Sequence, residues 1–381
     1  MCADKKRVSH SARRRDGARA GWLASVLFAA SAQLVSAAAP PQSAAVTPTG
    51  GLCSARQLVV AEPQQGWRCT VNFGASDAFV VRVDQRDLDV VVSLYDAHGR
   101  QALSVDSPTR RASSEMLLIG PRLSGKYALV VRPKAGAVDA QRALVTLDPV
   151  SGPASLMAGL AELTRACSPD ELQTPDSGKE RIAQLQAALV LFQSAGATQW
   201  EGETLLRMAW TYYWTLSDWA AAASNARLAM DAFSQVKDPV SNAQAAVARA
   251  ASLIEIASAV ATADTAAGAG QTATQSPLDE PIGLSDTAAL VLQKAGFRYA
   301  QAEALNFAGI GFFYQGNYGA ARARYEQAAA IFRSLRETTS AALPLQNVAH
   351  IDFDAGDYGA AIASFKSALD VLDPVANASQ Y

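Results

Sequence analysis

Histidine and cysteine are the residue types of this chain that could combine into a nucleophile and its base. The sequence holds three histidines, His10, His98 and His350, and four cysteines. A Cys–His pair needs the thiol and the imidazole within hydrogen-bond distance. Here such a pair would join Cys167 to His350 across the second half of the chain, or would use a cysteine that we expect in a disulfide. The sequence therefore predicts no catalytic residue.

Three aspartates, Asp84, Asp87 and Asp89, could supply oxygen ligands to calcium. On a strand, however, their spacing places them on alternating faces, and no calcium-loop pattern surrounds them. No glycine-rich phosphate loop follows a predicted strand either. These observations predict a solvated strand surface, with no metal site and no cofactor.

The cysteines predict a disulfide. Cys53 and Cys69 flank fifteen residues in what the pattern indicates are adjoining strands. A bridge closing that loop would stabilise the fold by about 3 kcal/mol. Cys2 falls in the N-terminal basic region, and the other three cysteines allow three pairings, of which we favour Cys53 with Cys69. Cys167 is then expected to be a small buried apolar residue.

The N-terminal residues 1–39 have the composition of an export signal. Seven basic residues precede an apolar run from Gly21 to Val35, and small residues follow it at Ala37 to Ala39. The run is short for a membrane span, so we predict cleavage near 37–40 and a secreted or periplasmic protein. A retained N-terminal anchor is the alternative. No later stretch is expected to cross a membrane.

Charge limits the class of partner. The chain carries 33 basic and 35 acidic side chains; residues 1–39 hold 7 and 2 of these, which leaves 26 basic against 33 acidic residues after cleavage. An acidic mature chain disfavours nucleic acid as a partner.

Residues 50–150 alternate apolar and polar side chains in short runs broken by Gly, Asp and Asn, which predicts about eight strands and a β-sandwich or jelly roll. The segment from Asp84 to Gly99, with the later strand from Gly125 to Val131, resembles exported pre-peptidase C-terminal modules. Its aromatic residues are too few and too spread to indicate a carbohydrate surface.

Two stretches near the C-terminus, Phe307 to Phe332 and Val348 to Leu372, repeat one pattern after forty residues. Their glycine, tyrosine and alanine positions coincide, as expected for antiparallel helix pairs, and the pattern resembles a tetratricopeptide repeat. The resemblance implies an α-helical solenoid over 153–375, following the sandwich.

Weaker copies extend the array towards the N-terminus. The late alanines of the pattern are spaced by 41, 59, 40 and 40 residues, at Ala188, Ala229, Ala288, Ala328 and Ala368. We assign the longer step to a flexible insertion at 263–284, with the next helix starting near Ser285. Repeats of this length, with the phrase from Ala328 to Leu335, resemble those that accompany caspase-like CHAT domains.

In tetratricopeptide repeats the first helix of each pair lines a concave groove that binds peptides or partner helices. The resemblance places nine residues there, of which six are the main candidates; replacing Arg207 with alanine should then leave stability within about 0.5 kcal/mol. The candidates are Arg207, Trp214, Asn306, Phe313, Gln346 and His350, flanked by Thr211, Ile310 and Phe353. The Lys/Asn clamp that some relatives use for a peptide carboxylate is not visible.

The sequence thus predicts a non-enzymatic scaffold of the bacterial cell envelope that binds a peptide or partner protein. The alternative is the sensing and scaffolding part of a CHAT-type cysteine peptidase whose catalytic domain is absent from this chain. None of that domain's catalytic residues has a counterpart in this sequence.

Overall fold

A computed structural model describes residues 52–61, 66–74, 78–85, 89–107, 114–120, 123–133, 141–168, 174–267 and 276–371. The predicted signal segment 1–39 lies outside these residues, so its cleavage stays a prediction.

The described N-terminal part consists of eight strands, each five to nine residues long. They are β1 (Arg56–Ala61), β2 (Trp67–Phe73), β3 (Phe79–Asp84), β4 (Val90–Tyr95), β5 (Gln101–Val105), β6 (Ser114–Ile119), β7 (Gly125–Pro133) and β8 (Gln141–Pro149).

The strands form two antiparallel four-stranded sheets, in the orders β1-β8-β3-β6 and β2-β7-β4-β5. Strands that follow one another in sequence mostly lie in opposite sheets, and this order is that of an eight-stranded jelly roll. The inner faces meet through Val81, Leu94 and Leu117, none of which is exposed. The predicted sandwich is confirmed.

A disulfide joins Cys53 to Cys69, with Cα atoms 5.1 Å apart, a usual separation for this bond. Cys69 lies on β2, whereas Cys53 precedes β1 and reaches β2 through its own backbone, which donates to Thr70 O at 2.9 Å. The bridge therefore fixes the start of the sandwich to its second sheet.

The described C-terminal part contains ten α-helices. They are α1 (Ala154–Ala166), α2 (Pro175–Ala195), α3 (Thr198–Thr211), α4 (Trp219–Gln235), α5 (Pro239–Ala267), α6 (Asp279–Ala295), α7 (Arg298–Tyr314), α8 (Tyr318–Ser334), α9 (Thr338–Asp354) and α10 (Tyr358–Asp370), with a π-helical turn at Tyr212–Leu216.

Each helix packs on the next, so odd-numbered helices are the first and even-numbered helices the second members of five antiparallel pairs. The five late alanines of the repeat pattern, from Ala188 to Ala368, all lie on second helices and are buried. The close approach is visible at Gly309 of α7, where an added Cβ would lie 2.6 Å from the Tyr325 ring of α8. The predicted helical solenoid is confirmed.

The longer interval between two of these alanines, from Ala229 to Ala288, contains more helix than predicted. Helix α5 has 29 residues and continues to Ala267, and α6 begins at Asp279, before the expected start near Ser285. The predicted insertion at 263–284 therefore has helix at both ends, because the alanine-rich segment after Val260 can extend α5 although it lacks an apolar period.

Turns within the pairs use one backbone conformation. Gly316 and Gly356 adopt left-handed φ values of 75° and 79°, and Ser217 occupies the same slot with φ of 52°. In this earlier repeat the π-helical turn comes just before the slot. A π turn accommodates one additional residue, so it shifts the register of the residues at the end of the first helix.

Among the described helices, α5 is long and apolar enough over Pro239–Val260 to span a membrane, with mean hydropathy 1.2. The sequence analysis expected no such segment. Over half of this window is buried in the protein, against α4, α6 and α7. These contacts are those of a core helix in a solenoid.

Candidate functional site

The first helices line the inner side of the solenoid. Helix α5 packs against both α3 and α7, and α7 contacts α9, whereas the second helices lie further apart in the described chain. Side chains of alternate first helices also meet: the ring of Tyr213, after α3, lies 6.4 Å from that of Phe307 on α7. The inner face is therefore the face on which the groove candidates were predicted.

The sandwich covers the beginning of this face. Arg207 of α3 donates from Nη2 to Ser114 O of β6 at 2.7 Å. Glu203, one turn earlier, accepts from Arg82 of β3 at 3.0 Å. Helix α1 is held in the same way, since Thr164 Oγ1 accepts from Leu118 N. The sheet containing β3 and β6 thus packs on the first helices α1 and α3.

Arg207 is consequently not an open groove residue, which corrects the prediction. Its side chain is 0% exposed and pairs with Glu203 Oε2 at 2.8 Å. Thr211, one turn later, is also fully buried and donates to Arg207 O. The pattern gave the correct helix face, but sequence alone could not show that the sandwich occupies it.

A buried carboxyl lies next to this contact. Glu115 of β6 accepts from Gln85 Nε2 at 2.8 Å and from Ser107 N on both carboxyl oxygens. Burial raises the pKa of Glu115 to about 8, with a further contribution from Asp106 and an opposing one from Arg207. The junction between sandwich and solenoid is therefore a polar cluster closed to solvent.

The structure separates the residues that could have formed a Cys–His pair. Cys167 follows α1 and is fully buried, and burial raises the pKa of its thiol, so the thiol stays protonated. His350 lies on α9 against the Phe365 ring, at 5.2 Å, and burial lowers its pKa. His98 lies in the β4–β5 turn, where its backbone donates to Asp96.

The other groove candidates differ in exposure. Asn306 is buried and accepts from Asn347 at 3.4 Å, which corrects its assignment to the open surface. His350 packs within its own helix pair. Trp214 in the π-helical turn after α3, Phe313 near the end of α7 and Gln346 in the middle of α9 are half-buried, and Phe353 is 42% exposed. Beyond the sandwich, the described part of the inner face therefore runs over α5, α7 and α9.

In one group on this face only Trp214 was predicted, and we call the group the aromatic–acid cluster: Tyr213, Trp214, Glu255, Glu303 and Tyr314. Tyr213 is buried and its hydroxyl lies 3.3 Å from Glu255 Oε1 of α5. Burial raises the pKa of Tyr213 well above its usual value, and Glu255, Tyr314 and Glu303 raise it further. Tyr314 in turn hydrogen-bonds to Ser258 of α5.

The register explains why the cluster was missed. Alignment with the later repeats selected Trp214 as the inward residue. The π-helical turn accommodates one more residue there, and Tyr213 points to α5 and α7 instead. Trp214 stacks on Trp210 at 5.9 Å and meets Tyr213 edge-on at 4.7 Å. A run of four aromatic side chains within five residues was the available sequence signal.

Within the described ranges, no three His, Cys, Asp or Glu side chains are grouped as metal ligands. Asp84 accepts from Ser114 Oγ at 2.7 Å, and Asp87 lies outside the described residues.

The packing of the helices in pairs agrees with the sequence family that this part of the chain matches. Residues 286–373 match the tetratricopeptide repeat family. The match covers α6 to α10 almost completely, so these pairs are tetratricopeptide-type repeats by sequence as well as by packing. No curated protein is similar enough to this chain to count as a match.

Among solved structures, similar chains include a Rap protein complexed with competence and sporulation factor, at 16% identity and a TM-score of 0.41, over 57% of this chain and 52% of that one. The apo form of RapI is similar at 12% identity and a TM-score of 0.38, with the same coverage. This chain thus spans about half the length of these two structures.

Proposed function

We propose that this protein is a non-enzymatic scaffold of the bacterial cell envelope that binds a peptide or a segment of a partner protein on the inner face of its solenoid. The observation that supports this is the open first-helix face over α5, α7 and α9. It presents half-buried aromatic and amide side chains, such as Phe313 and Gln346, next to the tetratricopeptide-type repeats. Half-buried aromatic side chains are typical contact residues of binding surfaces.

The envelope location rests on the basic and apolar segments of residues 1–39 and on the disulfide, a bond that forms in oxidising compartments. N-terminal sequencing of the protein from its native host checks this part. A mature chain starting near residue 38 to 40 is expected, and intact Met1 in the cytosol contradicts it.

The binding part is tested with the purified mature protein as bait in envelope extracts. We expect Gln346→Ala and Phe353→Ala to reduce recovery of the captured partner about tenfold, while melting stays unchanged. Leu228→Ala is the matched control, because Leu228 is 41% exposed on the second helix α4, away from the inner face. Equal capture by all variants contradicts a role for the groove.

A further inference from the structure

Two asparagines on neighbouring first helices are joined by their side chains, and we call them the amide pair. Asn347 Nδ2 of α9 donates to Asn306 Oδ1 of α7 at 3.4 Å. Every side-chain amide has one NH2 group and one carbonyl oxygen. The bond therefore leaves the NH2 group of Asn306 and the carbonyl oxygen of Asn347 for a further partner, and no other side-chain hydrogen bond of either residue occurs within the described ranges.

The packing of α7 shows which side of the helix carries Asn306. Gly309 faces α8 and Gly311 faces α6, since an added Cβ at either position would lie 2.6 Å from a side chain of that helix. At 3.6 residues per turn, Asn306 and Ile310 lie on one side of α7 between these directions, and Ala308 lies on the other. Ala308 is fully buried, whereas Ile310 is half-buried. The side with Asn306 and Ile310 is therefore the one that opens on the inner face.

Both remaining groups of the amide pair keep contact with solvent. Asn347 is half-buried and Asn306 is 8% exposed. In the described part of the chain, the fully enclosed polar atoms that lack a hydrogen bond do not include Asn306 Nδ2 or Asn347 Oδ1. Asn306 thus lies at the bottom of the inner face, below its open surface, where a bound segment can still reach the NH2 group.

The two groups match one residue of an extended chain. In a paired β-strand, the N–H and the C=O of one residue point to the same side and bond to the same neighbour. The C=O of such a residue can accept from Asn306 Nδ2, and its N–H can donate to Asn347 Oδ1. If the two amides exchanged roles, the pair would still present one donor and one acceptor.

Other ligand groups use only part of this arrangement. A helix bonds its backbone N–H and C=O groups internally, so along its length it has none to offer. A carboxylate only accepts hydrogen bonds, and an ammonium group only donates them. A side-chain amide, of asparagine or glutamine, has both groups and is the competing ligand.

We infer that the amide pair binds the main chain of the segment that occupies the inner face, and that this segment is bound as an extended strand and not as a helix. The inference rests on the proposed function and names the form of its ligand. Because the contact is made to the backbone, it selects the conformation of the segment and not its sequence. Sequence preference then depends on flanking side chains such as Ile310 and His350.

The test uses a phage-displayed library of random nine-residue peptides selected on the full chain. An enriched peptide is synthesised with one peptide bond at a time replaced by an ester, which removes the N–H without adding bulk. We expect the ester at one position to weaken binding to the wild-type protein about fivefold. Alanine at that position should weaken it less than about twofold. With Asn347→Ala the ester and the parent peptide should bind about equally, because the acceptor is gone.

Gln327→Ala is the matched control, because Gln327 carries an exposed amide on the second helix α8 and should keep the fivefold ratio. Asn306→Ala is the second variant, and melting shows which variants are folded. An unchanged ratio in the asparagine variants, or ester effects below about twofold at every position, overturns the inference and leaves the groove as a peptide-binding surface. A shared asparagine or glutamine in the peptides, whose replacement by alanine costs more than any ester, overturns it too. If no peptide is enriched on the wild-type protein, the proposed function fails as well.

Discussion

Arg207 and Glu203 form an ion pair one helical turn apart, enclosed between α3 and the sandwich. Arg207 also donates to Glu203 O and to Ser114 O, so its guanidinium holds both the helix and β6. Burial opposes the charge on Arg207, but its interactions with Cys167, Glu203 and Glu115 outweigh burial and raise the pKa of Arg207. Arg207 therefore remains charged inside the protein.

We expect Arg207→Ala to reduce the free energy of unfolding by about 3 to 5 kcal/mol, because it leaves Glu203 buried with one partner fewer. Urea unfolding measures this. The control is Arg227→Ala, since Arg227 is 54% exposed in a surface pair with Asp231 and should change stability by less than about 0.5 kcal/mol. Similar effects of the two changes would contradict a supporting role of Arg207 at the junction.

The repeat pattern correctly placed Arg207 on the inner face of a first helix. Whether that face meets solvent, a ligand or another domain depends on packing between residues 121 positions apart, such as Arg82 and Glu203. No local period carries this information, and from the buried ion pair we expect a larger effect of Arg207→Ala than the sequence analysis did.

At the scale of helices, the repeat prediction succeeded because small residues are required where two helices approach closely. Ala328 and Ala368, forty residues apart, are both buried on second helices. The prediction was less accurate where the period changes. A helix of 29 residues replaced part of the expected loop, and one π turn moved the inward residue from Trp214 to Tyr213.

Ala328→Leu should overpack the contact of α8 with its neighbours and lower the free energy of unfolding by about 1 to 3 kcal/mol. Ala330→Leu, two residues along the same helix, is the control because Ala330 is exposed and both residues favour helices. It should change stability by less than about 0.5 kcal/mol. Thermal melting of both variants checks the difference; equal melting temperatures contradict close packing at Ala328.

For the whole molecule, the sandwich and the solenoid share one continuous apolar core, which extends from β2 through α1 and α3 to α9. Fold class and repeat arrangement followed from the residue pattern. The contact between the sandwich and the solenoid could not be predicted from this pattern. Its polar residues, Gln85, Glu115 and Arg207, resemble ordinary surface residues in sequence.

This junction makes stability depend on pH. Glu115 is faced by Gln85, Asp89, Asp106, Ser107 and Arg207, and its pKa is raised to about 8 from an ordinary value of 4.5. The folded protein therefore holds a proton that the unfolded chain releases between these two values. The stability contributed by this proton is fully present below pH 4.5 and is lost as pH rises to 8.

We expect the stability of the wild type, relative to Glu115→Gln, to fall by up to about 1.4 kcal/mol per pH unit across that interval and to level off above pH 8. Glutamine is the comparison because it keeps the shape of the neutral carboxyl and cannot titrate. Urea unfolding of both proteins at several pH values measures the difference. A constant difference from pH 5 to 8 contradicts protonation of Glu115 in the folded state.

The position of the sandwich on α1 and α3 also limits the length of the inner face beyond it. The sandwich covers one end of the inner face, and α5, α7 and α9 follow beyond it. Packed helices are spaced by about 8 to 10 Å, so three of them span about 25 to 30 Å. An extended chain advances about 3.3 Å per residue and crosses that distance in eight or nine residues. If the inner face binds an extended segment as proposed, about eight or nine residues of that segment therefore fit between the sandwich and the far side of α9.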